Sequence, residues 1–314
     1  MSFCIVYLAS PRNSRIYEQV GNDTSRPRRI DLLRDSLKIT RSCFPTTDIF
    51  VFHEDYTEDD RASLADSHIR FLPIDFSGLE EHRTPGQRRP YGYLMMCRFF
   101  SGVMQSHPEV AKYSHYMRLD DDSYFLEPFP TQEYVVSNLL KNDYVFRSVF
   151  EDSQDQQSLW KFTLEFLRKE GYGSHLETLK NELRKRSVLR GDTYTGLAPY
   201  NNFHIASQRL WQNPLTQRFL ATLEESKGIL RYGWMDANIH AMIAYVLALF
   251  MGMKIHHEAT FGYRHNQHLS LLGSSAIHYK ADLPFGLAQT PPTHSVPYPN
   301  TPPESTPDGS EDTH

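Results

Sequence analysis

Three consecutive carboxylates, Asp120, Asp121 and Asp122, are the residues of this sequence most suited to chemistry. They follow an apolar, β-rich run at residues 114–119, so a strand would end in three acidic side chains. Such a cluster repels itself and costs folding free energy unless it is exposed or compensated by a cation. Asp120 and Asp122 alternate along an extended chain and would point the same way, offering hard oxygen ligands to Mn²⁺ or Mg²⁺, which also bind nucleotide diphosphates. The alternative is a solvated acidic turn that caps a helix.

Histidines in the second half of the chain could complete a metal shell begun by carboxylates. None of them has the tight helical spacing of a zinc site, and scattered histidines are often ordinary core or surface residues. An imidazole is nevertheless an acceptable ligand for Mn²⁺, so one member of the set is a candidate if a separate argument selects it. The set comprises His204, His240, His256, His257, His265 and His268.

A basic and aromatic segment at residues 88–102 has two interpretations. Its apolar residues are spaced as the buried face of a helix, which would leave the arginines as a solvated helix start. Alternatively, Arg88, Arg89 and Arg98 contact phosphate, and Tyr91 or Tyr93 stacks on a sugar or base. The sequence has no P-loop, no dinucleotide-binding glycine fingerprint and no Gly-x-Ser-x-Gly elbow, which disfavours ATPase, dehydrogenase and hydrolase functions.

Periodicity predicts an α/β domain around a mostly parallel sheet. We expect strands at residues 3–8, 48–53, 69–74 and 114–119, with a helix at 31–40, after a possible Asp31 cap, between the first two. Ligands of such sheets bind beyond the carboxyl ends of the strands. The second half predicts further helices at residues 158–169, 210–223 and 236–250. We interpret residues 1–285 as a single catalytic domain and the Pro-rich residues 286–314 as a disordered tail.

Composition limits the class of protein. The 314 residues are 39% hydrophobic and 23% charged with a formal net charge of -5. These values are typical of a folded protein and argue against nucleic-acid binding through a diffuse basic surface. The longest apolar stretch, residues 241–253, is too short to span a bilayer and predicts a core helix. We therefore expect no transmembrane segment in this chain and a cytoplasmic location, or the Golgi lumen if an anchor precedes the chain.

Several segments, taken in order, resemble the fungal Golgi α-1,2-mannosyltransferase family. They are Arg-Asn-Ser at residues 12–14, Tyr-Leu-Met-Met-Cys-Arg-Phe at 93–99, the acidic motif at 120–122, Tyr-Asn-Asn-Phe-His-Ile at 200–205, Asp236 with His240, and Gly-Tyr-Arg-His at 262–265. The resemblance implies a GT-A fold, a Rossmann-like mixed sheet flanked by helices. It also implies an enzyme that transfers mannose from GDP-mannose, with Mn²⁺ or Mg²⁺ as cofactor and retention of configuration, to a glycan or glycoprotein acceptor.

The resemblance also implies roles for individual residues. It gives metal-ligand roles to Asp120, Asp122 and His265, nucleotide contacts to Arg12, Asn13, Ser14, Arg98 and Asp120, and catalytic roles to Tyr93, His204 and Asp236. At His204 the family carries a glutamate proposed as nucleophile or charge stabiliser, and an imidazole cannot imitate that anion. This departure favours a front-face displacement or a different donor sugar. It also leaves open an inactive relative that binds a nucleotide sugar.

Overall fold

The computed structural model describes residues 2–10, 28–152 and 156–280. The predicted nucleotide contacts Arg12, Asn13 and Ser14 and the predicted tail lie outside these residues. The strands β1 to β15 are, in chain order, Phe3–Leu8, Ile49–His53, Ile69–Pro73, His115–Leu119, Ser123–Leu126, Tyr144–Phe146, Val149–Glu151, Leu189–Arg190, Thr193–Tyr194, Leu197–Pro199, Phe203–Ser207, Ile255–His257, Gly262–His265, His268–Ser270 and Ile277–Tyr279.

Helices cover both faces of the main sheet. In chain order, α1 to α13 are Arg29–Cys43, Glu58–Ala62, Tyr91–Arg98, Met104–Ser106, Pro108–Ala111, Gln132–Tyr134, Gln157–Lys169, Leu176–Lys185, Gln208–Trp211, Pro214–Ser226, Gly228–Tyr232, Asp236–Ala241 and Ala248–Met251. π-Helical turns at Phe99–Val103, Val135–Leu139 and Met242–Leu247 extend α3, α6 and α12, and short 3₁₀ turns lie at Glu80–His82 and Gly173–His175.

The main sheet has seven strands in the order β12-β6-β11-β4-β1-β2-β3. β1 pairs in parallel with β2 and β4, while β11 is antiparallel to both of its neighbours, β4 and β6. The sheet is therefore mixed, as predicted, and the four predicted strands β1 to β4 are confirmed within one residue at each end. Side chains of β1 alternate between two hydrophobic clusters: Cys4, Val6 and Leu8 pack in one, and Phe3, Ile5 and Tyr7 in the other.

Three local predictions were wrong. Residues 120–122 form a tight turn in place of an extended strand end, since the Ser123 amide donates to the Asp120 carbonyl at 3.0 Å. The helix predicted at 210–223 is divided into α9 and α10, because Pro214 starts a new helix that the Asn213 side chain caps. Helix α1 begins at Arg29, so Asp31 lies in its first turn and does not cap it.

A second, antiparallel sheet completes the predicted acidic site. Its order is β15-β14-β13-β5, and β5 begins immediately after the acidic turn. β13 pairs with β5 so that His265 lies opposite Ser123. This register carries a residue far along the chain to within reach of Asp120 and Asp122. The predicted apolar helix at 241–253 is largely buried, and no helix of the described residues has the length and hydrophobicity to cross a membrane.

Candidate active site

The structure brings the three predicted metal ligands together. His265 Nε2 lies 3.1 Å from Asp122 Oδ1 and 3.5 Å from Asp120 Oδ2. His265 is partly buried, and although burial alone would lower its pKa, the charges of Asp122 and Asp120 raise it above its ordinary value. The imidazole and the carboxylates therefore stabilise one another in the metal-free chain.

Arg29 neutralises the other side of the acidic turn. Its guanidinium binds both oxygens of Asp121, with Nε 2.9 Å from Oδ2, and its Nη1 lies 3.2 Å from Asp122 Oδ2. Asp121 is fully buried, so its charge depends on this pairing. Burial would raise the pKa of Asp122, but Arg29 and His265 lower it below the ordinary value. Asp122 is therefore ionised and able to bind a cation.

The donor set fits a hard divalent ion, although the described residues contain no preformed group of three His, Cys, Asp or Glu ligands. Asp122 Oδ1 is buried, and apart from the ion pair with His265 Nε2 at 3.1 Å it has no hydrogen-bond partner among the described residues. Such an orphaned buried acceptor calls for a ligand. Two carboxylates and one imidazole are a suitable set for Mn²⁺. Asp120, Asp122 and His265 could thus bind the ion after a small rearrangement.

A buried arginine connects the acidic turn to Asp236. Arg118, on β4, is 2% exposed and donates from Nη1 to Asp236 Oδ2 at 2.6 Å and from Nε to Asp120 Oδ1 at 3.1 Å. The guanidinium carbon lies 3.4 Å from the ring centre of Phe100, a cation–π contact. Asn201 Nδ2 donates to the same oxygen of Asp236 at 2.9 Å. Although burial would raise the pKa of Asp236, Arg118 keeps it below the ordinary value, so Asp236 is a carboxylate.

Helix α3 carries two further residues predicted for the site, Tyr93 and Arg98. Tyr93, on α3, donates its hydroxyl hydrogen to Met235 Sδ at 3.4 Å, one residue before Asp236. Arg98, at the end of the same helix, forms an ion pair with Glu224, with Nε 2.9 Å from Oε2. Tyr93 thus contacts the residue next to Asp236, whereas Arg98 forms its ion pair with Glu224 on α10. The predicted contact of Arg98 with phosphate stays a prediction.

His204 is fully buried in the middle of the sheet and both its ring nitrogens have partners. Nδ1 donates to the Asn201 carbonyl at 2.9 Å, and Nε2 accepts from the Tyr116 hydroxyl at 3.0 Å. The ring stacks on Tyr144 with a centroid distance of 5.2 Å. Burial, followed by the nearby His240 and Arg118, lowers its pKa well below the ordinary value, so the ring is neutral. Its predicted contact with the sugar stays a prediction.

Sequence reasoning missed three residues that contact the predicted site. Arg118 donates to Asp120, and its position two residues before that carboxylate was a usable signal. The Tyr200 hydroxyl lies 2.7 Å from His265 Nδ1. The resemblance to the family included Tyr200 in the segment 200–205 but implied no role for it. Arg29 carried no signal, since only the packing of α1 on β5 brings it to the turn.

A family model described as glycolipid 2-alpha-mannosyltransferase matches residues 86–280, which include all of the site residues described above except Arg29. The chain belongs to this family. The predicted membership is confirmed. This chain is similar to individual proteins as well. O-glycoside alpha-1,2-mannosyltransferase homolog 2 from Schizosaccharomyces pombe is 30% identical to it, in a match that covers 62% of this chain and 53% of the relative. Homolog 4 from the same yeast is 28% identical, in a match that covers 55% of this chain and 47% of the relative. The match thus spans about half the length of these curated relatives.

Solved structures confirm the GT-A fold. Core-mannan synthase A from Aspergillus fumigatus, in its Mn/GDP form, superimposes with a TM-score of 0.63 over 95% of this chain and 81% of its own, at 16% identity. The mannosyltransferase Ktr4p from S. cerevisiae, in complex with GDP, gives a TM-score of 0.63 over 91% and 76%, at 18% identity. At 16% and 18% identity, these similarities are evidence for the fold of this chain and for nothing beyond it.

Proposed function

We propose that this chain is a metal-dependent glycosyltransferase that moves a sugar from a nucleotide-diphosphate donor to a hydroxyl group of a glycan or glycoprotein. GDP-mannose is the first candidate donor. The observation that carries the proposal is the convergence of Asp120, Asp122 and His265 at the carboxyl end of β4. Family membership and the Mn/GDP form of the Aspergillus core-mannan synthase A support the choice of metal and nucleotide.

In this proposal Asp120, Asp122 and His265 hold Mn²⁺ or Mg²⁺. When bound, the ion supplies positive charge for the diphosphate that leaves as the bond to the sugar breaks. Asp120 also accepts a hydrogen bond from Arg118 Nε, which orients that carboxylate before any ligand arrives. The three side chains thereby provide a charged, preorganised site for the diphosphate.

Asp236 and Tyr93 belong to the sugar side of the proposed site. Asp236 is a buried carboxylate whose Oδ2 is already bound by Arg118 and Asn201, so it has a fixed orientation. A carboxylate held in this way can accept hydrogen bonds from sugar hydroxyls without reorganising. Tyr93, beside Met235 and under the guanidinium of Arg89, would orient the donor.

His204 takes no covalent step in the proposed reaction. Its neutral ring is enclosed by protein, and both nitrogens are hydrogen-bonded to Asn201 and Tyr116. A covalent glycosyl intermediate needs an exposed nucleophile, which this ring does not offer. We therefore favour a direct front-face displacement, in which His204 maintains the packing behind the site.

The test is a donor screen on the purified chain with Mn²⁺ and a panel of nucleotide sugars, following nucleotide release with and without simple sugar acceptors. We expect release from one donor, abolished by chelation and by the double change Asp120→Asn and Asp122→Asn. The control is Asp192→Asn, which removes an exposed carboxylate paired with Arg184 and should leave the rate unchanged. Full activity after chelation or in the double variant would refute the metal assignment.

An inactive nucleotide-sugar-binding relative is the second candidate function. The observation in its favour is the neutral, buried ring of His204, which stands where the resemblance to the family implies a glutamate. Donor binding measured by calorimetry, with no release of nucleotide from any member of the panel or with any acceptor, would support this candidate against the transferase.

A further inference from the structure

Three consecutive residues, Tyr200, Asn201 and Asn202, connect the separate parts of the proposed site. They form the connection between β10 and β11, and each side chain binds a different group. The Tyr200 hydroxyl contacts His265, the Asn201 amide contacts Asp236, and the Asn202 Oδ1 accepts from the Tyr263 hydroxyl at 3.3 Å. The first two of these groups are the proposed metal ligand and the carboxylate proposed to bind the sugar.

Tyr200 acts on the ring nitrogen of His265 that faces away from the carboxylates. Its hydroxyl oxygen lies 2.7 Å from Nδ1, while Nε2 faces Asp122 at 3.1 Å. A metal-binding histidine usually donates its second N–H to a fixed acceptor, which sets the tautomer and the ring orientation. The phenol can serve as this acceptor, because its own ring is held against Phe150 at a centroid distance of 5.6 Å. Nε2 then presents its lone pair towards the metal position.

Asn201 acts on the sugar side. Its Nδ2 donates to Asp236 Oδ2 at 2.9 Å, the oxygen that Arg118 also binds. Its main-chain carbonyl accepts from His204 Nδ1 at 2.9 Å, and the residue is only 6% exposed. The amide group is therefore fixed by the sheet behind it and in turn limits how Asp236 can rotate.

We propose that residues 200–202 form a positioning segment in which Tyr200 sets the affinity for the divalent ion and Asn201 sets the use of the donor sugar. This inference rests on the proposed function, since it concerns the same site. Neither residue touches the reacting atoms; each acts through the neighbour that it orients. The two contacts are separate, so the two effects should be separable by mutation.

The experiment compares Tyr200→Phe and Asn201→Ala in the full chain, with Tyr194→Phe as the matched control. Tyr194 is a buried tyrosine whose hydroxyl donates to the Leu197 carbonyl. Mn²⁺ binding is measured by electron paramagnetic resonance without nucleotide, and donor turnover at saturating Mn²⁺. We expect Tyr200→Phe to raise the Kd for Mn²⁺ about 10- to 100-fold. Asn201→Ala should leave that Kd within about twofold and lower kcat/KM for the donor about tenfold, the effect of about 1.4 kcal/mol of lost orientation.

An unchanged Mn²⁺ affinity in Tyr200→Phe, or equal losses of Mn²⁺ affinity in both variants, would overturn the proposal. If Tyr200→Phe does not fold, nitrogen-15 NMR of the His265 ring in the wild-type chain saturated with Mg²⁺ decides. The Nδ1–H tautomer is expected, and the Nε2–H tautomer contradicts it. Mn²⁺ binding by the wild-type chain without nucleotide release would refute only the proposed transferase function, whereas failure to bind Mn²⁺ would refute both.

Discussion

Replacing Arg118 by methionine should cost the protein far more stability than the loss of an ordinary ion pair. The change removes the cation shared by Asp236 and Asp120 and leaves both carboxylates without it. The Asp236 side chain is 6% exposed and that of Asp120 24%, so water can solvate the first only slightly. Methionine retains much of the apolar stem that covers Phe100, which confines the perturbation to the charge.

The magnitude follows from this burial. Removing one partner of a buried ion pair costs about 3 to 5 kcal/mol, because the remaining charge is left uncompensated. At about 2 °C per kcal/mol for a domain of this size, Tm should fall by about 6 to 10 °C. The matched control is Arg218→Met, whose pair with Glu170 has side chains 53% and 21% exposed. Loss of a surface pair of this kind should cost less than about 1 kcal/mol.

Urea unfolding at pH 7 with a chelator, followed by circular dichroism, gives both free energies of unfolding. Adding Asp236→Asn to Arg118→Met should recover part of the loss, since the amide removes one of the two orphaned charges. A loss below about 1 kcal/mol for Arg118→Met, equal to that of Arg218→Met, would refute the reasoning. It would mean that the buried carboxylates take up protons or water at little cost.

Two further stability predictions concern positions outside the site. Burial would raise the pKa of Glu258, but the contact with His256, followed by hydrogen bonds from Thr260 and Tyr134, lowers it to about 2. The stabilisation by this carboxylate is therefore complete above pH 4.5 and is lost as the pH falls towards 2. Between pH 6 and pH 2 the stability advantage of the wild-type chain over Glu258→Gln should shrink by about 3 kcal/mol in urea titrations, and a constant difference would contradict the assignment. Gly228→Ala would place its Cβ in steric overlap with the buried Trp234 ring, so we expect a lower Tm and altered tryptophan fluorescence. An unchanged melting curve would show that the ring can move aside without cost.

The sheet could be read from the sequence more easily than the surroundings of the site. Continuous apolar runs such as Phe3–Leu8 have a single stable environment, a strand buried on both faces, and these strands were predicted within one residue. The short strand Ser123–Leu126 was missed because four residues carry too little periodicity to distinguish a strand from a turn. Its pairing with Gly262–His265 joins chain segments about 140 residues apart, which no local pattern encodes.

In the candidate site, the proposed metal ligands could be predicted from the sequence and their neighbours could not. Asp120, Asp122 and His265 were predicted as a set through the resemblance, and the structure places both carboxylates within 3.5 Å of His265 Nε2. The partners of these residues were not predicted, since Arg29 and Tyr200 reach the site only through packing between distant elements. Charge compensation by a neighbour in space depends on the tertiary structure, and a list of residue types does not contain it.

The antiparallel strand β11 has a consequence for how the protein folds. Its residues Phe203–Ser207 pair with Leu119–His115 on one side and with residues of β6 on the other, so both ladders close long loops. Ladders of this kind form slowly, because the entropy of loop closure is lost before the contacts are gained. A slip of one residue would turn Phe203 and Ile205 out of their cluster and displace the segment that precedes them. The proposed ligand binding therefore requires β11 to be paired in its correct register, and a compact state in which β11 has not yet joined the sheet would lack it.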